Sequence, residues 1–144
     1  MKEVKYIPGD LIKSDRIPNS IWKIEEVLQN EYWGALYRCV DARNDIYCTN
    51  LYKHLIVPIP LTIEILEKNG WKLLKHHERN SYDDVSWSSY HKPAETNISL
   101  RFYPEEEAFF LFLYAQEISE TPIRYIHQLQ HILFGLGLNS EMEV

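Results

Sequence analysis

A chain of 144 residues with 45% hydrophobic and 13% aromatic content holds enough apolar material for one packed domain or two very small ones, and is not mainly disordered. Its 21 acidic against 15 basic side chains give a net charge of −6, all of it within residues 59–144, so the basic stripe that sequence-independent DNA or RNA binding requires is missing. No run of about 18 apolar residues is present to span a membrane, and Met1 to Lys5 has no apolar stretch behind it to act as a signal peptide, so a cytoplasmic protein is expected.

The chain opens with short strands. Val4 to Ile7 leads through Pro8-Gly9-Asp10 into Leu11-Ile12, and Trp22 to Glu25 alternates, placing Trp22 and Ile24 on one face and Lys23 and Glu25 on the other. Tyr32 to Val40 and Ile46 to Leu51 flank a polar turn at 41–45, and Leu55 to Ile59 closes the series. Four or five such strands within 60 residues cannot bury a face as an open sheet, which predicts a small β-barrel over 1–58. Its strand, hairpin, strand order looks like a small barrel of the Src-homology or Tudor type. Centring the hairpin on Arg43-Asn44 would set Cys39 opposite Cys48; without a secretory signal both read as reduced strand residues, with a redox pair as the alternative.

Pro58-Ile59-Pro60 enforces an extended boundary. Thr62 reads as the N-cap of a short helix over Ile63 to Asn69, with Glu64 in its first turn and Gly70 as its stop. Strands follow at Trp71 to Lys75, Val85 to Tyr90 and Ile98 to Tyr103, separated by a polar loop over His76 to Asp84. In the last of these Ile98, Leu100 and Phe102 face inward, and Ser99, Arg101 and Tyr103 outward. Pro104 to Glu107 forms a charged hairpin loop, and Ala108 to Ala115, apolar on both faces, reads as a central strand covered on both sides. A helix over 122–136, capped by Thr121 with Pro122 at its first position, is expected to pack across that sheet. The fold class is therefore α+β: a barrel over 1–58, then a helix, an antiparallel sheet and a C-terminal helix over 59–144, as two domains or one compact unit.

His127 and His131 stand four apart on one helix face, the spacing of a two-histidine metal site, but the glutamate of a zinc-protease helix is replaced by Gln128. Two boundary histidines are the reading preferred here, and no metal or other cofactor is expected. Gln130 lies inside the apolar arc of the helix, where a buried amide needs a partner: a backbone group, or a ligand reaching the helix. Arg101 and Tyr103 share a strand face, Arg124 and His127 could approach from the helix, and Trp22, Trp33, Tyr37, Trp87 and Tyr90 offer stacking surfaces, with Arg38 and Lys72 as phosphate donors. There is no Gly-x-Ser-x-Gly elbow and no phosphate-cradling glycine loop, so no enzyme activity is expected.

Ile59-Pro-Leu-Thr-Ile-Glu-Ile-Leu-Glu-Lys-Asn-Gly-Trp71 and Ile123-Arg-Tyr-Ile-His-Gln-Leu-Gln-His131 resemble a family of small uncharacterised proteins of phages and mobile elements of gut bacteria. Tyr125, His127, Gln128 and Gln130 match that family's closing-helix signature. The resemblance implies an accessory gene product in the host cytoplasm, and by analogy a capture role in counter-defence. The expected function is sequestration of a small nucleotide-like ligand by a homo-oligomer, with Arg101, Tyr103, Arg124, His127, Gln130, Trp33 and Arg38 as the ligand-binding residues. The alternatives are an inhibitor or adaptor acting on a host protein, and a metal-dependent hydrolase using His127 and His131.

Overall fold

The computed structural model describes residues 5–30, 34–93, 95–119 and 121–144. Among the described residues it is mostly antiparallel sheet, with two five-stranded sheets and two α-helices, and it divides into two compact units. The first unit takes residues 1–60 and 125–142; the second takes 61–124 and 143–144.

In the first unit the strands are β1 (Leu11–Ser14), β2 (Ile17–Asn30), β3 (Gly34–Asp41), β4 (Cys48–Tyr52) and β5 (Ile56–Pro58), in the order β4-β3-β2-β1-β5. Among the described residues no ladder joins β4 to β5, so the ring closure of a barrel is not observed. As the alternation predicts, Trp22 and Ile24 are buried while Lys23 and Glu25 are exposed. The register against β3 then shifts between Ile24 and Glu26, which leaves Glu25 and Glu26 both outside and brings Val27 into contact with the core. Ile12, Trp22, Ile24, Tyr37, Cys39, Leu51 and Ile56 form that core.

Val40 pairs with Cys48 and Cys39 with Thr49, one residue away from the register a tight turn at Arg43-Asn44 would impose. The 42–47 connection is longer, closed by the Asp41 amide donating to the Tyr47 carbonyl at 2.8 Å. A one-residue difference exchanges faces, so Cys39 is buried, Cys48 is exposed, and both are free thiols.

Helix α2 is Ile126–Gly135, shorter than the predicted 122–136. The Thr121-Pro122 start signal is overridden because 123–125 is held in β-bridges: Ile123 exchanges both backbone hydrogen bonds with Phe109, at 2.8 and 2.9 Å, and Tyr125 bridges Pro60. The helix instead begins where the Gln128 side chain accepts from the Tyr125 amide at 3.0 Å. The Ile126 amide donates to the Ile59 carbonyl at 2.9 Å, which anchors the start. Ile126, Leu129 and Leu133 are its buried apolar residues. Its polar side chains reach β1 and Gly9-Asp10, and α2 groups with the first unit.

The second unit contains α1 (Ile63–Lys68), β6 (Lys72–His77), β7 (Trp87–Lys92), β8 (Glu95–Tyr103), β9 (Ala108–Leu113) and β10 (Gln116–Glu117), ordered β10-β9-β8-β7-β6. The Thr62 hydroxyl accepts from the Ile65 amide at 3.2 Å, as an N-cap should, and Gly70 ends the helix at φ 89°, a conformation glycine adopts without cost. β9 is interior, with β8 on one side and β10 and Ile123 sharing the other. Leu66, Trp71, Ile98, Leu100, Phe109, Leu111 and Ile123 are buried in this unit.

Candidate functional site

Strand alternation and register build one distinctive surface on the second unit. Arg101 is opposite Ser89 on β7 and Phe110 on β9, so the side chains of Trp87, Ser89, Ser99, Arg101, Phe110 and Phe112 share a face. Diagonal neighbours then meet across the strands. The Arg101 guanidinium lies 3.9 Å from the Trp87 ring centroid and 4.4 Å from that of Phe112, so it is held between two aromatic rings. Trp87 also stacks on His77 at 5.2 Å, and the Lys75 ammonium stands 5.7 Å from its centroid. Tyr103 continues the face, set edge-on to Phe110 at 5.4 Å.

Beside Arg101 is a cavity of about 450 Å³, lined among others by Lys75, Trp87, His91, Arg101, Phe112 and Tyr114. Among the described residues no aspartate or glutamate lines it. Among the described residues Arg101 makes no ion pair, and its buried Nε has no hydrogen-bond partner. A guanidinium without an ion-pair partner, in a hollow lined by no carboxylate among the described residues, is suited to an anion, preferably a flat or bidentate one such as carboxylate or phosphate.

The first unit uses its polar interior differently. Gln130 accepts from the Leu11 amide at 3.0 Å and donates to the carbonyls of Gly9 at 3.0 Å and Ser140 at 3.1 Å, so its amide is committed to backbone. The buried Asp10 carboxylate accepts from the Ile7 amide at 2.9 Å and contacts His131 Nε2 at 2.7 Å. The His127 ring sits among Tyr6 at 5.0 Å, Tyr125 at 5.9 Å and His131 at 5.6 Å. Burial pushes its pKa down to about 4; His131 lowers it further and Asp10 partly opposes the shift, so the ring is neutral near pH 7. Its buried Nδ1 has no partner. Burial raises Tyr6 to about 12, with smaller contributions from Tyr37, Asp10 and Tyr125, and raises the Cys39 thiol to about 11, away from thiolate chemistry.

Of the residues proposed from sequence, Arg101 lines the cavity and Tyr103 lies farther along the same face. Arg124 lies on the extended segment before α2, not on the helix, with its carbonyl accepting from the Leu61 amide at 2.8 Å. His127 and Gln130 are interior residues of the first unit and do not line this cavity. Arg38 is exposed on β3, opposite Glu26 and Asn50, and Trp33 lies outside the described residues. No group of three or more His, Cys, Asp or Glu among the described residues is placed to hold a metal ion. Sequence reasoning missed Lys75, Phe112 and Tyr114. The available signal was parity: a turn at 104–107 pairs Tyr103 with Ala108, and that puts Phe110 and Phe112 on the Arg101 face.

No family model, curated protein or solved structure matches the chain.

Proposed function

We propose that the protein is a non-enzymatic binder that sequesters a small nucleotide-like anion on the sheet face of its second unit. The supporting observation is the Arg101 guanidinium, clamped between Trp87 and Phe112 beside a cavity, with no ion-pair partner and no lining carboxylate among the described residues. The cavity volume, about 450 Å³, is within the range of small-molecule sites. Clamping reduces the side-chain entropy lost on capture, and Lys75 adds a second positive charge. The resemblance to phage and mobile-element proteins is consistent with capture in a host cytoplasm as counter-defence, by a homo-oligomer. No helix of the described residues is long and apolar enough to cross a membrane. For the first unit we propose a Src-homology-like barrel, on the strength of the β4-β3-β2-β1-β5 order, the bulged fourteen-residue β2 and the 3-10 turn at Lys53–Leu55 before β5.

Titration calorimetry with mono-, di- and cyclic nucleotides tests the reading. At least one class should bind, and Arg101→Gln should weaken it roughly 10- to 100-fold, the usual worth of a charge-assisted pair. A panel with no binding, or an Arg101→Gln protein that binds as wild type does, rejects it. A second reading, a protein partner, draws on the groove of about 800 Å³ along Tyr6, Tyr37, Tyr52 and His54 in the first unit. Binding of a host protein that is lost on Tyr52→Ala and indifferent to Arg101→Gln would favour it.

A further inference from the structure

The β9–β10 connection is a two-residue hairpin turn, since Leu113 pairs with Gln116. Both turn residues are left-handed, Tyr114 at φ 51° and Ala115 at φ 67°. Two-residue turns of this hand favour Asn-Gly, because a Cβ is disfavoured at positive φ. A bulky aromatic and an alanine therefore occupy positions where turn chemistry selects against them. Strain of this kind persists where a side chain is used, and both residues line the Arg101 cavity. Tyr114 is 73% exposed, and its ring takes part in no ring contact among the described residues. Its backbone is nonetheless fixed, because the Tyr114 amide donates to the Asn97 carbonyl on β8 at 2.9 Å.

Trp87 and Phe112 cover the faces of the guanidinium, which leaves its N–H edge, with Nε unpartnered among the described residues, as the part that can bond a ligand. Tyr114 is the exposed aromatic surface on the same cavity. We infer that Tyr114 is the stacking platform for the ligand's aromatic ring. The ligand is then a phosphorylated aromatic heterocycle of the nucleoside monophosphate kind, its phosphate on Arg101 and Lys75 and its base on Tyr114. This assignment rests on the binding reading above and adds the residue that distinguishes a base-bearing phosphate from a bare sugar phosphate.

The test compares adenosine 5′-monophosphate with ribose 5-phosphate by titration calorimetry on four proteins. Wild type should prefer the monophosphate roughly 10-fold or more, the usual worth of one stacked base. Tyr114→Asn suits the turn better than tyrosine does, so the hairpin remains; it should abolish the preference while ribose 5-phosphate affinity stays the same. Tyr114→Phe should keep the preference, and Arg101→Gln should weaken both ligands together. If wild type binds both equally, or Tyr114→Asn retains the preference, the platform is overturned and the anion site stands. If wild type binds neither compound, the assignment is overturned, and the wider nucleotide panel then decides the anion site separately.

Discussion

Each unit sets polar side chains in an apolar setting, and the two settings are opposite. In the first unit Gln130 gives both N–H groups and its oxygen to backbone at Gly9, Leu11 and Ser140, and Asp10 is shared between an amide and His131. In the second unit Arg101 has aromatic rings on both faces and no ion-pair partner among the described residues. A polar group whose bonding capacity is spent inside the fold holds segments together. One that is held rigidly and left uncompensated has free energy to give to a ligand. Substitution should therefore separate stability from binding along the boundary between the units.

The largest effect is expected at Gln130. Gln130→Leu keeps the volume and leaves the Leu11 amide and the Gly9 and Ser140 carbonyls without their partner. Stranding one buried and two part-buried backbone groups should cost on the order of 3 kcal/mol. Urea denaturation should show it, with nucleotide affinity unchanged; a loss below about 1 kcal/mol would mean that the amide is not holding these segments. Arg101→Gln should do the reverse, shifting stability by about 1 kcal/mol, the worth of its ring contacts, while affinity collapses.

Acid should destabilise the first unit through His127. Its folded pKa, about 4, lies below the ordinary 6.5, so between those values the unfolded chain holds a proton that the folded chain refuses. The stability is fully present above pH 6.5 and is lost progressively as pH falls toward 4, on the order of 3 kcal/mol in all. Asp10, His131, Tyr6 and Tyr125 surround the ring and are present in the comparison protein too. His127→Phe keeps an aromatic ring among them and removes both the titration and the unpartnered Nδ1. Denaturation midpoints between pH 4 and 7 should fall more steeply for wild type than for the variant. Parallel slopes would mean that His127 does not drive the acid loss.

How far these features could be read from sequence follows from how local their causes are. The Thr62 cap, the Gly70 stop and the inward set Ile98 and Leu100 depend on residues a few positions apart and were legible. The need of Gln130 for a partner was legible too, because a polar residue inside an apolar arc stands out. The start of α2 was not: Thr121-Pro122 is a sound local signal that loses to the bridges of Ile123 with Phe109 and of Tyr125 with Pro60. Register was the other gap. It is set by loop length, and the six residues at 42–47 moved Cys39 away from Cys48. The Arg101 clamp depends on register in two hairpins at once, so the strand face of Arg101 was legible and its partner Phe112 was read only as core.

The smallest predicted effect concerns the turn beside that clamp. Ala115→Gly removes a Cβ at φ 67° and leaves the Tyr114 ring in place. Relief of the left-handed conformation outweighs the entropy glycine adds to the unfolded chain, so the protein should gain about 1 kcal/mol, or roughly 3 °C in Tm. Ligand affinity should be unchanged, because the platform is still present. A gain of stability from Ala115→Gly with no gain in binding would show that the fold retains a disfavoured turn at a cost that glycine could have avoided. If Ala115→Gly is neutral or destabilising, the turn is unstrained, and the placement of Tyr114 at its apex loses that support for a role in binding.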